Sequence, residues 1–277
     1  MISIITPSFN QLSFIGEALE SVRLQNNDNW EHLVIDGLST DGTVNLLRSQ
    51  TAKRENQAMH WTSEEDSGQS HALNKGFRRA KGEIVGWLNS DDRYRAGCFE
   101  CIVQAFEDNP EIDIFYGDYL MVDEMGKVLE IRREIEFSAF VLLYHRILYI
   151  PTTATFFRRR IFEEGNWLDE RLQYAMDLEF FIRLSQRGYR FKHLPHVLAD
   201  FRIQPQSKTC SFPDRQRLEH QQIVFAAAPL LRRLQSPGLR SFTLILLRSV
   251  ACVRRYSEKL LRGYYWEQFL TKGHQLD

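Results

Sequence analysis

Along the first 110 residues, short apolar runs alternate with amphipathic stretches, and no other feature constrains the fold as much. Residues 2–6, 32–36, 59–62 and 84–88 read as strands, too short for helices. Between them, Ile15, Leu19 and Val22 mark the apolar face of a helix over residues 14–25. Further helices are expected over 41–50, with Asp41 or Thr40 as N-cap, over 70–80 and over 96–107. Strand–helix alternation with buried strands predicts an α/β protein whose parallel-rich sheet carries helices on both faces.

After Pro110 the rhythm changes. Strands are expected at 112–116, 119–122 and 127–131, with a turn at 123–126. A helix over 137–145 and a strand over 152–157 follow. The helix over 174–187 ends at Gly188, placed as a C′ glycine. Strands at 190–194 and 197–203 close the mixed part of the sheet. From Arg215 the chain reads helical, broken near Ser236-Pro237-Gly238. This divides the chain into 1–210, with halves 1–110 and 111–210, and a helical extension, 211–277.

The net charge of -1 hides an asymmetry. Residues 1–200 hold 22 Lys+Arg and 31 Asp+Glu, hence -9; residues 201–277 hold 13 and 5, hence +8. A basic extension on an acidic body points to an anionic surface, membrane or nucleic acid. In the extension, Arg232, Arg233, Arg240, Arg248, Arg254, Arg255, Lys259 and Arg262 alternate with apolar residues and with Tyr264, Tyr265 and Trp266. Such a basic amphipathic helix can lie on an anionic membrane; packing on the body with a solvated basic face is the competing account. Cys98 and Cys101 have no second pair to complete a zinc site, and with Cys210 and Cys252 read as buried thiols. No signal peptide, sequon or run of 18 apolar residues is present, so the expected location is cytoplasmic, with peripheral contact at the inner membrane face.

Ordinary dinucleotide, Walker and zinc-protease motifs are absent, and Gly68-Gln69-Ser70-His71-Ala72 lacks the closing glycine of a nucleophile elbow. What remains is a set of strand-end carboxylates: Asp36, Asp66, Asp91, Asp92 and Asp177. In open α/β sheets, ligands bind beyond the carboxyl ends of the strands. Asn89-Ser90-Asp91-Asp92 follows the strand at 84–88. Adjacent carboxylates push one pKa up unless a cation neutralises them, and Mg²⁺ or Mn²⁺ suits their hard oxygens. A simple turn is the competing account. At the end of the first strand, Pro7 stops the ladder and Phe9 offers a ring on which a nucleobase can stack. Asp36 is placed to read a base edge or a ribose hydroxyl, whereas Asp41-Gly42 builds its loop.

Residues 6–10, 36–43, 66–76 and 82–94, in this order and spacing, resemble the family 2 glycosyltransferases of the GT-A fold over roughly residues 1–205. The resemblance implies a mixed sheet flanked by helices, with 1–110 as the nucleotide-sugar half and 111–210 as the acceptor half of the catalytic domain. It implies an inverting transferase that uses a nucleotide-diphospho-sugar and a divalent metal, Mg²⁺ or Mn²⁺. UDP is the nucleotide it points to, with GDP and dTDP as alternatives. By position, base-binding elements fall on Pro7, Phe9 and Asp36, with Asn10 in the same segment. The family's Asp-x-Asp motif falls on Asn89–Asp92, with Asp91 favoured over Asp92 as metal ligand and Asn89 and Ser90 beside the donor. Asp66, Asn74 and Lys75 would line the donor, Lys75 neutralising diphosphate. His71 stands where many relatives have Asp. Asp177 matches the general base, and Met176 departs from a frequent Glu. Gly117-Asp118 also fits family positions, and Arg202 and Lys208 are candidates for a loop closing over the donor.

The expected function is transfer of a sugar to a hydroxyl of a glycan or lipid-linked glycan in cell-surface polysaccharide or glycolipid synthesis. Asn89 and His71 keep a catalytically silent nucleotide-sugar-binding subunit as the alternative. A nucleotidyltransferase would show a glycine-rich basic loop after strand one, which residues 6–10 lack. The acidic body and missing recognition motif argue against a nucleic-acid partner.

Overall fold

The computed structural model describes residues 1–27, 29–53, 57–205 and 211–265. Four strands, β1 (Ile2–Ser8), β2 (Trp30–Asp36), β3 (Met59–Ser63) and β4 (Ile84–Trp87), run parallel. They are connected through α1 (Ile15–Arg23), α2 (Thr43–Thr51) and α3 (Gln69–Arg79). Next come β5 (Arg93–Tyr94), α4 (Cys98–Asp108), β6 (Ile114–Val122), β7 (Val128–Arg132), α5 (Ala139–Tyr144), β8 (Thr155–Arg158), α6 (Arg160–Glu163), α7 (Met176–Gln186) and β9 (Phe191–Arg202). The sheet runs β3-β2-β1-β4-β8-β6-β9-β5, with β7 paired to β6. β8 lies antiparallel to both β4 and β6, which makes the sheet mixed.

Period-two alternation sorts the apolar side chains onto two faces. Ile5, Val85, Ile114, Tyr116 and Phe157 meet Leu73 and Phe77 of α3 and Phe180 and Phe181 of α7. Ile2, Ile4, Ile84, Phe115 and Phe156 meet Ala18 and Val22 of α1 and Phe99 and Ile102 of α4 on the other. The expected α/β sandwich is therefore present, its sheet buried on both sides.

Two expected breaks are absent. Residues 112–122 do not split into two strands: β6 runs through Gly117. Nor do 190–203: β9 runs through Pro195. The reason is a bulge. Gly117 pairs with Leu194 and Asp118 with Val197, so Pro195 and His196 bow out of the ladder. Proline cannot donate to the ladder and is tolerated at such a bulge. Gly117 makes room, since a Cβ there would lie 2.5 Å from the Leu198 side chain and 2.8 Å from the His196 carbonyl. At α2, Gly42 occupies the cap with φ 103°, while Asp41 Oδ1 accepts from the Thr43 amide at 3.0 Å. Asp41 thus holds the entry without being the cap residue.

The extension is helical: α8 (Pro213–Ala227), α9 (Pro229–Arg233) and α10 (Pro237–Leu261). Prolines at the starts of α9 and α10 lack the amide that a continuous helix needs. Ile223 of α8 packs in the main core, and Val224, Leu231, Leu244 and Ala251 form a satellite cluster with Tyr144 of α5. The extension is anchored to the body.

Candidate active site

β1 has β2 on one side and β4 on the other, all parallel, so their carboxyl ends open together where the connections diverge. Such a switch point is where α/β sheets bind ligands. Ser8 pairs with Asp36, which sets the loops after β1 and β2 side by side. Hydrogen bonds join them: the Asn10 amide donates to Ser39 Oγ at 2.7 Å, and the Thr40 amide to Asn10 Oδ1 at 2.9 Å. Asn10 (φ 53°) and Leu38 (φ 63°) both hold the left-handed conformation, which is unfavourable for residues with a Cβ. Phe9 is 60% exposed, open for stacking, whereas Pro7 is buried in β1 and does not stop the ladder, which runs on to Ser8.

Asp36 is fully buried. Oδ2 accepts from the Ser39 amide (2.9 Å) and Ser63 Oγ (2.7 Å), and Oδ1 from Ser39 Oγ. The expected direct ligand contact is not open in this conformation; Asp36 organises the loop that carries Leu38 and Ser39. Asp66 is half-buried, and its Oδ1 accepts from the Gly68 amide. A Cβ on Gly37 would lie 2.5 Å from Asp66 Oδ2, so any larger residue at 37 would push the Asp66 carboxylate aside.

Two expected donor contacts are redirected. Asn74 is buried, donating to the Leu168 carbonyl (3.0 Å) and Glu170 Oε1 (2.8 Å) and accepting from the Leu168 amide (2.9 Å). Its amide staples α3 to the segment ahead of α7. Lys75 donates to the Glu65 carbonyl at 2.7 Å and pairs with Glu64 at 3.5 Å. It fastens the exit of β3, and neutralising a diphosphate would require it to leave Glu64.

The paired carboxylates after β4 have different surroundings. Asp92 is 2% exposed and hydrogen-bonded on both oxygens. Oδ1 accepts from the Arg202 amide at 2.9 Å, and Oδ2 from Asn89 Nδ2 at 3.0 Å and from Thr153 Oγ1. Burial first, then the Asp91 charge, raises its pKa to about 8. Asp91 is half-buried, and among the described residues its carboxylate holds one hydrogen bond, from Gln204 Nε2 at 2.6 Å. Burial raises its pKa too. Asp92 is thus enclosed with both oxygens hydrogen-bonded, whereas Asp91, the expected first choice of the two as metal ligand, has capacity left. Asn89 orients Asp92, while its Oδ1 accepts from Trp87 Nε1 (2.9 Å) and Gln69 Nε2 (3.0 Å). Ser90 is buried between them.

No group of three or more His, Cys, Asp or Glu side chains converges on a metal site among the described residues. One carboxylate with open capacity still fits Mg²⁺ or Mn²⁺, ions bound through one or two carboxylates plus substrate phosphates.

The sequence profile of "Glycosyl transferase family 2" matches residues 3–165, more than half of the chain. The chain belongs to this family. It is similar to the putative teichuronic acid biosynthesis glycosyltransferase TuaG of Bacillus subtilis (strain 168), 38% identical over 125 residues. That match covers 45% of this chain and 49% of TuaG, so the chain spans about half of that relative. An uncharacterized glycosyltransferase of Mycobacterium tuberculosis, MT1564, is 30% identical over 186 residues, covering 66% of this chain and 68% of its own. Among solved structures, S. aureus TarS 1-349 in complex with UDP-GlcNAc superposes with TM-score 0.67 at 16% identity, over 91% of this chain and 72% of that one. The mannosyltransferase PcManGT of Pyrobaculum calidifontis, in complex with GDP-Man and Mn²⁺, superposes at 0.64 with 20% identity, over 99% and 79%. These likenesses establish the fold of the chain as GT-A.

Asp177 lies in the first turn of α7, where a carboxylate complements the helix dipole. Its Oδ1 accepts from the Leu178 amide at 2.8 Å. Burial, with a smaller push from the Glu219 charge, raises its pKa to about 6. Glu219, on α8, was not singled out from the sequence. Its carboxylate accepts the backbone amides of Gln173 (3.0 Å), Tyr174 (2.6 Å) and Ala175 (2.6 Å), the three residues before α7. The loop before Asp177 is thus held by Asn74 from α3 and by Glu219 from the extension.

Arg202 was expected to close over donor phosphates, yet it is 2% exposed. It donates to the Asp91 carbonyl (2.8 Å), the Glu124 carbonyl (2.5 Å) and Glu17 Oε2 (2.7 Å). It clamps the tetrad from behind. Lys208, its expected partner in closure, lies outside the described residues, as do Cys210 and Trp266.

Proposed function

We propose that this glycosyltransferase moves a sugar, with inversion, from a nucleotide-diphospho-sugar to a hydroxyl of a glycan or lipid-linked glycan in cell-surface polysaccharide synthesis. TuaG, by its name, belongs to teichuronic acid biosynthesis, and TarS and PcManGT were captured with UDP-GlcNAc and GDP-Man. UDP is the nucleotide proposed here. We place the reaction at the inner face of the membrane, where a lipid-linked acceptor would be presented.

The observation that carries the reading is Asp177: a half-buried carboxyl with pKa near 6, fixed at the start of α7 by a doubly stapled loop. A base of that pKa is ionised at neutral pH and still accepts a proton effectively. Asp177 takes the proton of the acceptor hydroxyl as that oxygen bonds to the anomeric carbon. The bond from that carbon to the diphosphate oxygen breaks, and its electron pair leaves with the nucleoside diphosphate. Attack opposite the leaving group inverts the anomeric centre. Phe9 would stack on the base, with the Asn10–Ser39 loop holding its ring. Asp91 would hold Mg²⁺ or Mn²⁺ together with donor phosphate oxygens; when bound, the ion neutralises charge on the departing diphosphate.

Calorimetric titration of UDP, GDP and dTDP with Mn²⁺ and then with EDTA tests the donor side. We expect metal-dependent UDP binding that Asp91→Ala weakens. Asp177→Asn should lower turnover about 10²–10⁴-fold with donor binding retained. Turnover like wild type in that variant, or donor affinity indifferent to metal, overturns the assignment.

A further inference from the structure

The last helix is built inside out. α10 faces the body with charged residues: Arg255 is 7% and Lys259 8% exposed, and both meet Glu134, which is 0% exposed, at 2.7 and 3.3 Å. On the opposite side, Phe242, Ile245 or Leu246, Val250, Val253 and Leu260 recur at spacings of three, four or seven, hence along one stripe. Each is between 51% and 66% exposed. A helix that sinks its cations into the protein and turns large apolar side chains outward does not face only water. Contiguous apolar patches of this extent mark an interaction surface.

We propose that this outward face docks on an anionic lipid bilayer, with α10 lying in the plane of the interface. The charges around the stripe select this occupant. Arg254 adjoins Val253 in sequence and is exposed, and Arg232 and Arg233 are exposed on α9, which packs against α10. Asp214 and Glu258 are the described carboxylates of the extension besides Glu219, and each pairs with an arginine, Arg217 and Arg262. An apolar stripe with exposed arginines on its own helix and on the neighbouring one, none in an ion pair among the described residues, combines hydrocarbon burial with attraction to acidic headgroups. No helix among the described residues is long and apolar enough to cross a membrane, so α10 lies on the surface. The proposal names the surface that meets the bilayer in the reading of a lipid-linked acceptor. Binding is measured without donor or acceptor, so the two ideas can fail separately.

The test is co-sedimentation of the full chain with vesicles of phosphatidylglycerol and phosphatidylcholine, with pure phosphatidylcholine as control. Wild type should partition to the anionic vesicles, less so as salt rises. Phe242→Ser with Val253→Ser removes stripe residues that are mostly exposed in the folded chain, and should lower partitioning about 10-fold or more. Arg232→Gln with Arg233→Gln should lower it about 30-fold on anionic vesicles and hardly at all on neutral ones. Val128→Ser with Leu129→Ser, exposed apolar residues on β7, should leave it unchanged. Circular dichroism confirms that each variant folds. Absence of wild-type binding, or equal partitioning of the stripe variant, overturns the proposal. So does a micromolar dimer, seen by sedimentation and abolished by the same substitutions, because a second copy would then cover the face.

Discussion

Glu219 offers the sharpest test of how the extension serves the reaction. Its carboxylate collects three amides at 3.0, 2.6 and 2.6 Å, immediately before the helix that carries Asp177. Hydrogen bonds to a charged acceptor contribute about 1.5–3 kcal/mol each, and three sharing one carboxylate do not add fully. Glu219→Ala should therefore destabilise the fold by about 2–4 kcal/mol. It should also let the loop drift, and a 1 Å misplacement of a reacting group costs about 10²-fold in rate. We expect kcat to fall about 10- to 100-fold in Glu219→Ala, with the dissociation constant for UDP unchanged.

Glu219→Gln separates position from charge. The amide oxygen still accepts backbone donors, so kcat should recover part of the loss. The negative charge that helps raise the Asp177 pKa is gone. As the proposed base Asp177 would act only when ionised, so kcat/KM should climb with pH through its pKa, near 6. Removing the charge favours ionisation, and the acid limb should move to lower pH. Burial, the larger cause, persists, so the limb stays above the ordinary carboxylate range. The assay is a kcat/KM–pH profile from pH 4.5 to 8 beside calorimetry of UDP. A Glu219→Ala kcat within twofold of wild type, or an unmoved acid limb in Glu219→Gln, refutes the reasoning.

Asp177→Asn should be more stable than wild type at pH 7.5 while far less active. With its folded pKa raised to about 6 from 3.8, Asp177 lowers stability as pH rises from about 4 to 6, by about 1–3 kcal/mol, and the Asn variant lacks that slope. Thermal melts at pH 4 and 7.5 check this: the variant's advantage should appear only at the higher pH. Glu134→Gln strips the countercharge from buried Arg255 and Lys259, at a cost of about 3–5 kcal/mol. Amide exchange in α10 should then accelerate before that in β1 or β4, and uniform exchange across the chain would count against a local anchor.

The parallel half of the sheet was legible because each strand is a short apolar run bounded by loop or cap residues. The joined strands β6 and β9 were not, because Gly117 and Pro195 look like breaks until the bulge reconciles them. The site shows the same limit. Position in the sequence marked Asn89–Asp92 as important, but two neighbouring carboxylates carry no local sign of which faces the cleft. Thr153 and Arg202, distant in sequence, enclose Asp92 and leave Asp91 the less occupied of the two. The partners of Asn74 and Lys75 were illegible for a related reason. Their segment was recognisable, but the direction of each side chain depends on where the Leu168 loop and the Glu64–Glu65 strand exit settle. Glu219 gave no signal, since a lone glutamate on a polar helix resembles any solvated residue.

The extension joins two tasks that composition alone would assign to a detachable basic tail. α8 fixes the approach to Asp177 through Glu219, while α10 turns its apolar face outward and ties its inner face to Glu134. Ile223 places the first of these helices in the same core as Phe180 and Phe181 of α7. Truncating the extension would therefore remove the hold on the loop before Asp177, core packing and the outward face at once, and lost activity would not say which had mattered. Single substitutions divide them: Glu219 reaches the chemistry without touching the outer stripe, and Phe242 and Val253 alter the stripe while Glu219 keeps its amides. A chain that loses vesicle binding through Phe242→Ser and Val253→Ser yet keeps its turnover on a short soluble acceptor would show the two tasks to be physically independent, though they share one helical segment.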